Sequence, residues 1–118
     1  MAKKKTGEAA IEAVVGAPTV LSFGCFNNVC VAAQDYPLHL GPEGTQVYLC
    51  ALNTQLDIVF TGNSPFVSKT KEFSIPYGSC IGPEIVAHTG ANTHFKFDLK
   101  CWAGCPVTDR TGPEMIVP

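Results

Sequence analysis

Residues 93–100 read Thr-His-Phe-Lys-Phe-Asp-Leu-Lys, and this stretch carries the clearest structural signal in the sequence. Phe95, Phe97 and Leu99 occupy alternate positions, and charged or imidazole side chains occupy the positions between them. Successive side chains of an extended chain point to opposite faces. The alternation therefore predicts a β-strand with one face in a core and the other in water.

The same kind of pattern extends outward from this strand. It recurs in Leu56–Phe60 and Thr70–Ile75, which indicates two more half-buried strands. Gln46–Leu52 is apolar on both faces, so we predict a central strand that is covered on both sides. Asn27-Asn28 predicts a tight turn, because Asn tolerates left-handed backbone angles, and Gly82-Pro83-Glu84 is interpreted as a second turn. The remaining β-rich runs are Thr19–Phe23, Val29–Ala33, Tyr36–Leu40, Ile85–His88 and Met115–Val117.

These runs predict an all-β domain over residues 18–118. No helical periodicity is sustained there, and Gly, Pro, Asn and Ser separate the short runs. The pattern is typical of a two-layer antiparallel β-sandwich with Greek-key connections. We expect the side chains of Phe60, Phe73, Phe95 and Phe97 to be buried together between the two layers.

Composition narrows the classes of function. The 118 residues are 46% hydrophobic and 15% charged, which excludes a disordered polyelectrolyte. The formal net charge is −2, and the body without Lys3, Lys4 and Lys5 is more acidic still, so nucleic acid is not an expected partner. No apolar run approaches the length of a membrane-spanning helix.

Residues 1–17 are expected to form a flexible or docked N-terminal tail. Its lysine cluster and apolar segment imitate a secretory signal, but Glu8 and Glu12 interrupt the apolar part. The lack of a clear signal peptide favours the cytoplasm, whereas six cysteines in a short chain favour an extracytoplasmic compartment. The location of the protein therefore stays open.

Two regions of the sequence resemble a cupredoxin-like domain. Residues 56–60, 62–66 and 73–76 look like the middle of such a domain. Residues 95–99 and 112–117 resemble the pair of strands that closes it. The resemblance implies the same β-sandwich and raises the question of copper, which these domains bind through two imidazoles, one thiolate and a weak axial ligand.

The copper ligand set is incomplete in this chain. Residues 101–115, which correspond to the last loop, contain thiols and a late methionine but no histidine, and the segment after Phe60 contains no histidine either. A binuclear copper loop would want a histidine where Asp109 stands. The resemblance therefore implies the scaffold without the metal, and no cofactor is expected. Copper or zinc remains an alternative, with Cys101, Cys105, His88 and Met115 as candidate ligands.

The six cysteines are the strongest chemical feature, and they admit three interpretations. They are Cys25, Cys30, Cys50, Cys80, Cys101 and Cys105. As disulfides, sequence proximity favours Cys25 with Cys30 and Cys101 with Cys105, and elimination then leaves Cys50 with Cys80. The second interpretation is free thiols, and the third is a four-cysteine zinc site formed by two of the pairs if their loops meet at one end of the sandwich.

Little else in the sequence suggests chemistry. No catalytic constellation and no phosphate-binding loop is present, so we do not expect an enzyme. Trp102 is a candidate binding residue because exposed aromatic side chains dominate interfaces, and the alternative is that it covers the end of the core.

The sequence therefore predicts a non-enzymatic binding or self-assembly module. High apolar content in a small body leaves few polar side chains to cover its surface, so we expect a homo-oligomer or a protein partner. The alternative hypothesis is a small metal-binding or redox protein that uses the Cys101–Cys105 loop.

Overall fold

The computed structural model describes residues 17–102, 104–108 and 112–118. Residues 1–16 of the predicted tail, and Asp109, lie outside these ranges. The described chain forms strands and no helix, and accordingly offers no helix with the length and hydropathy needed to cross a membrane. The strands are β1 (Thr19–Phe26), β2 (Val29–Ala32), β3 (Leu38–His39), β4 (Gln46–Ala51), β5 (Leu56–Phe60), β6 (Glu72–Ile75), β7 (Cys80–Ile85), β8 (Thr93–Cys101), β9 (Val107–Thr108) and β10 (Glu114–Val117).

Two five-stranded sheets form the predicted all-β sandwich. The first sheet has the order β7-β4-β1-β2-β9 and the second has the order β3-β10-β8-β5-β6. Neighbouring strands are often distant in sequence, as Greek-key connections produce. The sheets are mixed: β1 runs parallel to β4, β2 to β9 and β10 to β3, and the other ladders are antiparallel as predicted.

Aromatic side chains fill the space between the sheets. Phe60, Phe73, Phe95 and Phe97 are all buried, which confirms the expectation from the sequence. Phe97 meets Phe23 of the first sheet edge to face, with ring centroids 6.2 Å apart. Alternate residues of β8 are buried and exposed along its length, so residues 93–100 have the predicted orientation.

The β1–β2 hairpin turns at Asn27-Asn28, as predicted. Both residues have positive φ, 53° and 67°, and Phe26 pairs with Val29 on either side of them. Two consecutive positive-φ residues are the requirement of the type I′ turn, whose twist matches that of the strands it joins.

The prediction of a turn at Gly82-Pro83-Glu84 is wrong, because these residues lie inside β7. The strand forms the edge of the first sheet, where the missing N–H of proline is tolerated, and its register against β4 shifts at this point. Gly82 has φ 131°, and a Cβ there would lie 2.8 Å from the carbonyl oxygen of Val47, so glycine allows the close approach of the two strands.

Candidate functional site

All six cysteines form disulfides. Cys50 pairs with Cys80, as elimination predicts. The two local pairs are wrong: Cys25 bonds Cys105 and Cys30 bonds Cys101, across 80 and 71 residues of sequence. No cysteine is left free, so the prediction of disulfides holds and that of free thiols does not.

The fold explains why the local pairs do not form. Cys30 is fully buried on the inner face of β2, and Cys101 is 8% exposed at the end of β8 in the opposite sheet, so this bridge crosses the interior of the sandwich. After Cys105 the chain reaches β9, which pairs with β2 and brings Cys105 beside the hairpin. The disulfide pairing is therefore set by which cysteines lie close together in the folded sandwich, and not by which are close in sequence.

The two long-range disulfides lie side by side and form what we call the cysteine cluster: Cys25, Cys30, Cys101 and Cys105. Cys25 and Cys30 are direct cross-strand partners in the hairpin, so their side chains share one face. Cys25 and Cys105 are half-buried, and a shallow cavity of about 430 Å³ is lined by Cys101, Gly104, Cys105 and Pro106. Solvent thus has a path to one side of the cluster.

The structure does not bring the candidate metal ligands together. Cys101 and Cys105 are oxidised, each in a different disulfide. Met115 is buried in β10 opposite Phe95, six residues along β8 from Cys101. His88 is exposed, with its Nδ1 2.9 Å from a carboxylate oxygen of Glu43. The part of the chain described by the structure contains no group of three or more His, Cys, Asp or Glu side chains that could hold a metal ion.

Trp102 lies over the outer side of the second sheet rather than over the end of the core. Its side chain is 41% exposed, and its indole N–H donates to a carboxylate oxygen of Asp57 at 3.2 Å. The Nζ atom of Lys100 lies 4.2 Å from the ring centroid, within the range of a cation–π contact. The ring is therefore accessible but held in place by two charged neighbours.

The outer side of the first sheet is apolar. Cross-strand partners share a face, and the register pairs Val20 with Tyr48, Phe26 with Val29, and Val29 with Val107. Leu21, Leu49 and Cys30 follow Val20, Tyr48 and Val29 in sequence and are buried in the core, so this side of the sheet points away from it. We call this surface the apolar face; its members are Val20, Phe26, Val29, Val31, Tyr48, Leu52 and Val107.

Charged groups are missing from the strands of the first sheet, apart from one carboxylate. That residue, Glu84, pairs in register with the inward-pointing Val47 and accepts a hydrogen bond from the Ser68 hydroxyl at 2.7 Å. Val20, Leu52 and Val107 are 52%, 46% and 49% exposed. The sequence carries a signal for this surface, since Gln46–Leu52 is apolar on both sides, and Tyr48 and Leu52 on the outer side stay only partly covered within one chain.

The outer side of the second sheet, which we call the polar face, has the opposite character. Asp57 accepts a hydrogen bond from the Ser74 hydroxyl at 2.8 Å, and His94 contacts Glu114 at 2.7 Å. Its outward charged or imidazole residues are His39, Asp57, Glu72, His94, Lys96, Asp98, Lys100 and Glu114. Such a surface is compatible with water without a partner.

Comparison with known proteins adds no further constraint on this arrangement. No family model, curated protein or solved structure matches the chain. The geometry of the cysteine cluster and of the apolar face therefore carries the functional argument.

Proposed function

We propose that this protein is a non-enzymatic, cupredoxin-like β-sandwich module that self-associates through its apolar face. The observation that carries the proposal is the charge-free outer side of the first sheet, with Val20, Leu52 and Val107 about half exposed. The antiparallel pairing of β8 with β10 supports the cupredoxin-like part, because the resemblance predicts that these segments pair.

Burial of this face is favoured by the hydrophobic effect. Removing apolar surface from water stabilises an association by roughly 25 cal/mol per Å² before the entropic cost of association is counted. Large contiguous apolar patches are rare on monomers and mark sites of interaction. The pattern of β4 points the same way: its inner residues Val47 and Leu49 are fully buried, whereas Tyr48 on its outer side is only half-buried and Leu52, which follows the strand, is 46% exposed.

Association through the face is favoured over association through the sheet edges. An exposed edge recruits another strand through its free N–H and C=O groups, and proteins block this with proline, bulges or very short edge strands. β7 contains Pro83 and a register shift, and the opposite edge, β9, has only two residues. Both edge strands of the first sheet are therefore poor templates for pairing with a strand of another chain.

A second copy of this chain is the partner that fits best. An uncharged surface is complementary to another uncharged surface, and the apolar face supplies one to itself in a two-fold symmetric dimer. The polar face of a second copy would bury charges without partners, which costs free energy. We therefore infer that the two apolar faces pack against each other.

Analytical ultracentrifugation over a concentration series tests the proposal. The unmodified chain is expected to dimerise. Leu52→Glu is expected to raise the dimer dissociation constant at least about tenfold, because it places a carboxylate in the dry centre of the contact. Val59→Lys is the matched control, since Val59 is a half-buried residue on the polar face and its change is expected to leave the dimer intact.

Two results would overturn the proposal. One is a chain that stays monomeric at about 1 mM, where even a weak dimer with a free energy of about −4 kcal/mol is half formed. The other is a dimer that Val59→Lys disrupts and Leu52→Glu does not.

A further inference from the structure

We propose that a cavity beside the connection between β5 and β6 binds a small organic acid, whose carboxylate contacts Lys69 and Lys71 and whose apolar body covers Val67. The cavity has a volume of about 370 Å³, which is typical of small-molecule sites. None of the described residues that line it belongs to the apolar face, so the inference does not rest on self-association.

Two segments of the chain form the walls of the cavity, and backbone hydrogen bonds hold them together. One wall comes from the connection between β5 and β6, and the other from Ala87 and His88, which follow β7. The N–H of Val67 donates to the carbonyl of Ile85 at 2.8 Å, and the N–H of Ala87 donates to the carbonyl of Pro65 at 2.8 Å. The cavity is therefore formed before any ligand enters.

The cavity has an apolar part with a rigid support. Phe66 is 1% exposed, and its ring meets those of Phe60 and Phe73 edge to face, with centroids 6.1 and 5.8 Å away. The next residue, Val67, is 60% exposed, and Ala87 on the other wall is half-buried. An apolar group that covers Val67 removes its side chain from water, which favours binding.

Lys69 and Lys71 supply the positive charge of the cavity. Within the described ranges, neither ammonium group forms a salt bridge or a hydrogen bond, and no carboxylate lines the cavity. Two carboxylates of the surrounding segments are already engaged: Glu43 lies 2.9 Å from Nδ1 of His88, and Glu84 accepts a hydrogen bond at 2.7 Å from the serine before Lys69. An anion in the cavity would therefore meet two cations that have no competing partner.

The chain holds Lys69 in place at a cost to its backbone. Its φ is 61°, a left-handed conformation that is unfavourable for a residue with a side chain and that is common at ligand sites. The turn is fixed by the N–H of Lys69, which donates to the carbonyl of Phe66 at 2.9 Å. The hydroxyl of Ser68 accepts from the N–H of Thr70 at 3.2 Å. A lysine where glycine or asparagine would fit more easily suggests that its side chain is used.

The lining selects an anion that also has an apolar body. Ammonium groups only donate hydrogen bonds, so they match the acceptor oxygens of a carboxylate. The side chains of Asn63 and Ser64 add polar groups to the same wall. A neutral apolar ligand would bury the lysine charges without a partner, which costs free energy, and an inorganic anion would leave Val67 in water. A small organic acid satisfies both parts of the lining.

The test is an NMR titration of the full ¹⁵N-labelled chain with phenylacetate. We expect saturable shifts of amide signals in residues 63–71, 87 and 88. Three comparison compounds separate the two parts of the ligand: phenylacetamide lacks the charge, acetate lacks the ring, and inorganic phosphate is a pure anion. Each is expected to bind at least about tenfold more weakly, which is the effect of losing one charge-assisted hydrogen bond or the burial of one apolar side chain.

Variants then locate the binding. Lys69→Asn keeps a residue that tolerates positive φ and removes the ammonium group, so it is expected to raise the dissociation constant for phenylacetate at least about tenfold. Lys96→Gln is the matched control, since Lys96 is an exposed lysine on the polar face and its change should leave binding unaltered. The unperturbed amide signals report that each variant is folded.

Three results would overturn this inference. The first is the absence of saturable shifts around the cavity. The second is binding of phenylacetamide or phosphate as tight as that of phenylacetate. The third is a Lys96→Gln variant that loses as much affinity as Lys69→Asn.

Discussion

The two sheets are alike on their inner sides and unlike on their outer sides. Inside, both present large apolar side chains, and Phe23 of one sheet meets Phe97 of the other. Outside, the second sheet presents polar pairs such as His94 with Glu114, whereas the first presents Val20 and Leu52 to solvent. The inner sides of the two sheets form the hydrophobic core that stabilises the fold. The difference between the outer sides indicates that the first sheet, not the second, is the one suited to contact a partner.

The largest expected effect contrasts the two sides of one strand. Phe97→Ala should lower the free energy of unfolding by about 3–5 kcal/mol, because Phe97 is 2% exposed and contacts rings from both sheets. Lys96→Ala, its neighbour on the polar face, should change it by less than about 0.5 kcal/mol. Urea denaturation measures both. Equal losses would mean that the outer side of β8 is also covered.

The second effect concerns the one covalent bond on the outer side of the first sheet. Cys50→Ala/Cys80→Ala should cost about 3–4 kcal/mol, since the bond closes a loop of about 30 residues and ties edge strand β7 to β4. Thermal unfolding without reductant measures the loss. In the presence of reductant the variant and the unmodified chain should converge, and a difference that persists there would assign the loss to packing instead.

The smallest effect is expected on the polar face. Asp57→Ala removes the acceptor of the Trp102 indole and of the Ser74 hydroxyl, and both groups are exposed, so the loss should be at most about 1 kcal/mol. Trp102 is the single tryptophan, so its fluorescence reports the change directly. Acrylamide quenching should increase in Asp57→Ala and not in Glu72→Ala. Unchanged quenching would mean that Lys100 alone holds the ring.

Sequence alone predicts the strands whose faces differ and predicts poorly the features that depend on distant segments. Thr93–Lys100 alternates strictly and Leu56–Phe60 does so apart from Val59, so their orientation follows from the two-residue period of a strand. Gly82-Pro83 has the composition of a turn, and only its place at a sheet edge makes it part of β7. The parallel pairs likewise join segments that no local pattern connects.

The candidate site residues show the same difference between features that a local pattern predicts and features that depend on distant segments. Elimination predicts the Cys50–Cys80 bond correctly, whereas Cys30 and Cys101 come together only after the two sheets have packed. Trp102 was identified as a candidate, but its contacts with Asp57 and Lys100 depend on the register of β5 against β8. The apolar face spans β1, β2, β4 and β9, and its extent appears only when these strands are placed in order.

The connectivity of the disulfides has one more consequence. Every bridge joins a cysteine at or before position 50 to one at or after position 80. A protease that cuts the backbone anywhere between Cys50 and Cys80 would therefore release nothing: the two fragments would migrate as one species until the sulfurs are reduced. Three disulfides hold the two halves of the chain together, and a molecule cut once between Cys50 and Cys80 would keep its fold although its backbone is broken.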